Sequence, residues 1–135
     1  KSSYVSADGA VYFGGGELNS TEQHMSGNNS GKLSPANQYV CWTSFEVKPG
    51  DAFDISVNYF SPDGQGNIAL SGNTGNPYYK SSNMVVLDYG NGWKKINLKT
   101  IIPANYSEKQ IKFGLFYSGA KTCYFDDLSI VLSKR

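Results

Sequence analysis

An all-β domain built from two antiparallel sheets packed face to face is the fold this sequence predicts, and three observations carry it. Residues 39–47, 53–59 and 111–117 alternate apolar and polar side chains with the two-residue period of a strand. Turn chemistry separates such runs at short intervals: Pro49-Gly50-Asp51, Ser61-Pro62-Asp63-Gly64, Gly90-Asn91-Gly92, Pro103-Ala104-Asn105 and Ser118-Gly119-Ala120. Composition agrees, because charged residues are only 17% while the chain holds 15 glycines and 10 tyrosines, and no stretch sustains a helical period. No internal repeat or linker divides residues 1–135, which read as a single domain large enough to bury its own core.

The N-terminal residues 1–36 are the least patterned. Tyr4-Val5 and residues 10–13 are expected as short strands around an Asp8-Gly9 turn, and residues 22–25 as a third, within a stretch rich in Ser, Asn and Gly. From Gln38 onward the pattern is clear. In residues 39–47, Tyr39, Cys41, Thr43, Phe45 and Val47 share one face, and Val40, Trp42, Ser44 and Glu46 the other. Residues 53–60 put Phe53, Ile55, Val57 and Tyr59 inward and Asp54, Ser56, Asn58 and Phe60 outward. A short strand over 67–71 and a loop over 72–83 follow, the loop holding the adjacent Tyr78 and Tyr79. Strands over 84–89, 96–101, 110–117 and 124–130 complete about eight to ten in all, enough for two packed sheets.

Several function classes are disfavoured. Formal net charge is +1 and the only arginine is Arg135, so no basic face for nucleic acid is expected. No apolar run approaches the roughly 20 residues that cross a membrane as a helix. The chain begins at Lys1 in a polar, tyrosine-containing segment, as a mature domain does, and we expect a secreted, monomeric module. Cys41 and Cys123 both fall on predicted strands, and a disulfide and two buried thiols stay equally open. His24 has no nucleophile pattern near it, and no phosphate-binding loop is present.

The residues that stand out lie on outward faces. Trp42 is expected on an open sheet face with Glu46, Asp54 and Asn58, beside Gln110, Lys112, Gly114 and Phe116 of the strand over 110–117. Aromatic rings, amides, one lysine and a space-making glycine suit a sugar-binding groove, where rings stack on C–H faces and polar groups take hydroxyls. Of Tyr78 and Tyr79, at least one is expected to face solvent. Glycoside hydrolysis needs carboxylates facing across a groove; of the eleven acidic residues Glu46 and Asp54, on one face, could in principle pair, but a solvated strand face or a hydrogen-bonding role is expected for both. Asp126 and Asp127 interrupt an apolar strand and are expected on its opposite faces, where one requires N–H donors, a lysine or a calcium ion.

Taken in order, VKPGDAFDISV, GNPYY, Trp93-x-x-Ile96-x-Leu98, QIKFGLFYSG and CYFDDLSI resemble the jelly-roll carbohydrate-binding modules, families 4, 16 and 22 in particular, over about residues 37–131. The resemblance implies a jelly roll and a non-catalytic module that binds a β-linked plant cell-wall polysaccharide, glucan or xylan, in a concave groove. Such a module is covalently linked to a catalytic domain that it targets. The resemblance also implies that Tyr78 stacks on sugar and that Gln110, Lys112 and Gly114 stand at strand positions whose polar side chains reach the glycan; Gly114 departs from the longer amide usual there, and Phe116 compensates by adding a stacking surface. It implies Tyr12 or Phe13 as a further stacking aromatic. Asp126 falls at the position linked to a structural calcium. Gly15-Gly16-Glu17 stands where the family has Asn-Gly-x-Phe-Glu, so Glu17 is a candidate second ligand. The expected site is therefore Trp42, Glu46, Asn58, Tyr78, Tyr79, Gln110, Lys112 and Phe116. The competing readings are a small β-sandwich glycanase or lyase, and a structural or adhesion module.

Overall fold

The computed structural model describes residues 3–5, 12–14, 19–20, 30–33, 39–72 and 78–134. Among them lie twelve strands and no helix: β1 (Ser3–Val5), β2 (Tyr12–Gly14), β3 (Asn19–Ser20), β4 (Ser30–Leu33), β5 (Tyr39–Glu46), β6 (Ala52–Phe60), β7 (Gly66–Ser71), β8 (Tyr79–Ser82), β9 (Met84–Asp88), β10 (Trp93–Ile101), β11 (Gln110–Tyr117) and β12 (Cys123–Ser133). The first sheet runs β1-β2-β5-β11-β7-β8 and the second β3-β4-β12-β6-β10-β9. Every pairing is antiparallel. The chain crosses between sheets at β2–β3, β4–β5, β5–β6, β6–β7, β8–β9, β10–β11 and β11–β12. The fold is the β-sandwich that the alternating pattern predicts.

Alternation within each strand builds the core. β7 and β11 contribute Ile68, Leu70, Ile111, Phe113, Leu115 and Tyr117 from the first sheet. β6, β10 and β12 contribute Phe53, Ile55, Val57, Tyr59, Ile96, Leu98, Cys123 and Phe125 from the second. Each large apolar side chain removed from water adds roughly 1.5–3 kcal/mol. Phe45 joins from β5 by edge-to-face contacts with Phe53 and Phe113, at ring-centroid distances of 5.7 and 6.5 Å. One end is closed by the β5–β6 turn. There Gly50 takes a φ of 94°, the Lys48 N–H donates to Asp51 Oδ2 at 3.0 Å, and the Ile102 N–H donates to the Asp51 carbonyl at 2.8 Å.

Three expectations need correction. The stretch over 72–83 is not all loop, because β8 forms within it and pairs Tyr79 with Ser71 and Ser81 with Ala69. Its four residues alternate too briefly beside two tyrosines to stand out as a strand. The alternation over 39–47 also breaks. Phe113 faces Thr43 but Leu115 faces Val40, so β5 carries one extra residue opposite Gly114 and its register shifts by one toward Tyr39. Third, the described residues hold twelve strands rather than eight to ten, since β3 and β4, like β8, are too short to leave a periodic signal. The strand expected over 22–25 lies outside the described residues.

Cys123 is a free thiol with no exposed surface, and burial pushes its pKa up to about 12. It lies on β12 of the second sheet, whereas Cys41 lies on β5 of the first.

Candidate functional site

The outer face of the first sheet is where the expected residues gather. On β5, Trp42, Ser44 and Glu46 are exposed while Val47 is buried and Phe45 packs on the core. On β11, Gln110 and Lys112 are exposed, and Ile111, Phe113, Leu115 and Tyr117 are buried. The two-residue period therefore turns Gln110, Lys112, Gly114 and Phe116 outward, as expected. Register aligns the two strands: Gln110 lies across from Glu46, Lys112 from Ser44, and Gly114 opposite the bulge that holds Trp42.

β7 and β8 extend this face. Ser71 lies across from Lys112, Ala69 from Gly114 and Asn67 from Phe116; beyond them, Tyr79 lies across from Ser71 and Ser81 from Ala69. One row thus reads Ser44–Lys112–Ser71–Tyr79. The next runs from Gly14 of β2 through Trp42 and Gly114 to Ala69 and Ser81. Trp42 keeps 37% of its surface exposed and Tyr79 keeps 54%. Its cross-strand partner on β2 is Gly14, and Gly114 of β11 lies opposite the bulge that holds the indole. Between Trp42 on β5 and Tyr79 on β8 lie Gly114, Ala69 and Ser71, with Lys112 the one long side chain among them. Those strands are three spacings apart, or about 14 Å.

Asn67 on this face donates its amide to the Gln65 carbonyl at 2.8 Å, but four other polar side chains are uncommitted among the described residues. The side chains of Ser44, Glu46, Gln110 and Lys112 make no hydrogen bond or ion pair with a described residue. Glu46 and Gln110 accept only through their backbone carbonyls, from Lys134 Nζ and from the Tyr106 hydroxyl. A face of exposed rings and unpaired donors can stack on and hydrogen-bond a flat polyhydroxyl ligand.

Two expected members lie elsewhere. Asn58 sits on β6 in the second sheet, not beside Trp42, and is only 4% exposed. Its amide donates to Asp127 Oδ2 at 3.1 Å and its carbonyl accepts from the Tyr89 hydroxyl at 2.8 Å. Asp54 is on the same outer face and accepts from Asn97 Nδ2 at 2.8 Å. Glu46 and Asp54 therefore stand on opposite outsides of the sandwich and cannot flank one glycosidic bond. Tyr78 is the other correction. It is half-buried against the core, its hydroxyl 3.0 Å from Thr100 Oγ1 and its ring edge-to-face with Tyr106. Tyr79 takes the exposed position instead.

Asp126 and Asp127 do not simply alternate. β12 bulges between Asp126 and Ser129, and Asp127 adopts a left-handed φ of 55°. The Asp127 N–H donates to Asp126 Oδ1 at 2.9 Å while its own carboxylate takes the Asn58 amide. Among the described residues no group of three or more His, Cys, Asp or Glu gathers. Two carboxylates fall short of the six to eight oxygens calcium takes, so these residues alone do not form its site. Glu17 lies outside the described residues, and of Tyr12 and Phe13 only the strand placement is described.

The contribution of Ser71, Ser81 and Ala69 to this face is not legible in the sequence. Period two identifies the outward residues of a strand, but not which strands lie side by side. The chain matches no protein-family model and no curated protein sequence.

Proposed function

We propose that the outer face of the first sheet binds a β-linked plant cell-wall polysaccharide of glucan or xylan type. The domain is a non-catalytic, secreted module that holds a covalently attached enzyme near its substrate. The observation that carries this reading is Trp42, exposed between Gly14 and Gly114 on the face that also presents Tyr79. Two stacked rings at about 0.5–1.5 kcal/mol each beyond burial, plus hydrogen bonds donated by Gln110 and Lys112 and accepted by Glu46, suit micromolar to millimolar affinity. Tethering turns such an affinity into a high local concentration of the attached enzyme.

Affinity electrophoresis against soluble xylan, mixed-linkage glucan and mannan tests it. The domain is expected to be retarded by at least one of them, and Trp42→Ala and Tyr79→Ala each to reduce that retardation. Unchanged mobility of both folded variants removes the proposed face. The reading includes a structural calcium ion with Asp126 among its ligands. A melting temperature that EGTA lowers supports the ion, and one indifferent to EGTA removes it.

A further inference from the structure

We propose that the polysaccharide bound on this face is an acidic one, whose uronate carboxylate is held by Lys112. The inference rests on the polysaccharide reading and adds the chemical class of the sugar.

Lys112 is on β11, an interior strand of the first sheet with β5 on one side and β7 on the other. Its cross-strand neighbours, Ser44 and Ser71, have short side chains, so the ammonium is not walled in laterally. It is exposed and makes no ion pair or hydrogen bond with a described residue. Its own row ends at Tyr79, and Gly114, two residues along β11, lies opposite the bulge that carries Trp42. A cation with no counter-ion among the described residues thus stands between the two exposed rings.

Glu46 is the carboxylate closest in register, and its position favours the same assignment. It faces Gln110, on the side of Lys112 away from Trp42. A sugar stacked on Trp42 lies about 7 Å along the sheet from the Lys112 row and about 14 Å from the Glu46 row. Attraction to the ammonium therefore exceeds repulsion from the carboxylate, since both charges act through similar surroundings. The four-carbon lysine stem can cover the shorter distance, and a charge-assisted hydrogen bond is roughly twice as strong as one to a neutral hydroxyl.

Isothermal titration of the intact domain decides it, with a neutral xylo-oligosaccharide and the same backbone bearing glucuronic acid as probes. The acidic probe is expected to bind about tenfold more tightly, equivalent to about 1.4 kcal/mol. Lys112→Met should weaken the acidic probe about tenfold more than it weakens the neutral one, so that the difference disappears, and Lys112→Arg should retain most of it. Raising salt should narrow the gap. Lys99, exposed on the outer face of the second sheet, is the control: Lys99→Met should change neither affinity. Equal binding of both probes, or a preference that Lys99→Met weakens as much as Lys112→Met does, overturns the proposal but leaves the polysaccharide reading standing. Binding of neither probe, together with no retardation by any of the three neutral polysaccharides, overturns both.

Discussion

The Tyr117 hydroxyl donates a 2.5 Å hydrogen bond to Asp63 Oδ2, joining the end of β11 to the β6–β7 turn. The same oxygen accepts from the Lys121 N–H at 2.6 Å, so one fully buried phenol fastens two loops. Tyr117→Phe removes both bonds without changing the ring. Because the acceptor is a carboxylate, the expected loss is about 1.5–3 kcal/mol, read from urea unfolding midpoints. Stability should also follow pH through this pair. Burial tends to raise the Asp63 pKa, but hydrogen bonds from Tyr117 and backbone N–H groups outweigh it and hold it below the usual carboxylate value. The unfolded chain therefore binds the proton first as pH falls. The stabilisation is complete above the ordinary aspartate pKa and is lost as pH drops through the lowered one. At the alkaline end, burial and the bond to Asp63 push Tyr117 up to about 12. Its contribution is complete below the ordinary tyrosine pKa of 10.0 and fades as pH rises through about 12. Tyr117→Phe should flatten both limbs of the pH–stability curve.

Gly119 gives an independent handle on the same bond. A Cβ there would press on both Asp63 Oδ2 and Tyr117 Oη, closer than atoms in contact allow. Gly119→Ala must therefore part the two oxygens, and we expect it to cost about 1–3 kcal/mol. With the bond already absent, the same alanine has less to break. The Tyr117→Phe/Gly119→Ala double variant should lose clearly less than the sum of the singles. Strict additivity in the denaturation cycle would assign the glycine some other role.

Asp127 is the one non-glycine residue with positive φ among the described residues. Asp and Asn tolerate this conformation, whereas a β-carbon without a local hydrogen bond adds about 1–2 kcal/mol of strain. Asp127→Ala retains the Cβ, removes the acceptor of the Asn58 amide and leaves that buried group under-satisfied. We expect a loss of about 2 kcal/mol or more. Asp127→Gly relieves the backbone but not Asn58 and should lose about 1 kcal/mol, while Asp127→Asn keeps an acceptor and should lose least. Thermal melts of the three variants check the order Asn, Gly, Ala.

Tyr78 and Tyr79 are adjacent but should answer mutation in opposite ways. Tyr78→Ala removes a ring wedged on Tyr106 and a hydroxyl bonded to Thr100, so stability should fall by about 3 kcal/mol or more. Tyr79→Ala removes an exposed ring and should leave the melt almost unchanged while weakening retardation by polysaccharide. The reverse pattern would return sugar stacking to Tyr78.

That contrast marks what the sequence could convey. Which side of its strand Trp42, Glu46 or Lys112 occupies follows from period two, because burial on one face enforces alternation over whole strands. Asn58 shows the limit. Its outward position was legible, but β5 and β6 share no sheet, and nothing local to 58 records that its outside is the opposite side of the sandwich from Trp42. Tyr78 fails for a related reason: its partners, Thr100 and Tyr106, are more than twenty residues away, and no periodicity announces such a contact. The acidic pair was visible as an anomaly. Its resolution, a bulge with a left-handed aspartate, needed the register with β6.

β9 supplies the last test. Met84, Val85, Val86 and Leu87 are 45–59% exposed, and β9 is the end strand of the second sheet among the described residues. An exposed apolar edge offers unpaired backbone groups to another chain, the usual route to edge-to-edge association. The register with β10 shifts between Lys95 and Ile96, leaving Val86 as the extra residue, and a bulge is one device that blunts such an edge. Val86 is therefore the place to add a charge without disturbing a paired position. Val86→Lys should shift the melting transition little, by no more than about 0.5 kcal/mol, because the side chain already faces water. It should nevertheless raise the temperature at which light scattering begins, since an edge lysine must be desolvated before a second strand can pair there. An unchanged scattering onset beside an unchanged melt would mean that the bulge alone keeps this edge from pairing.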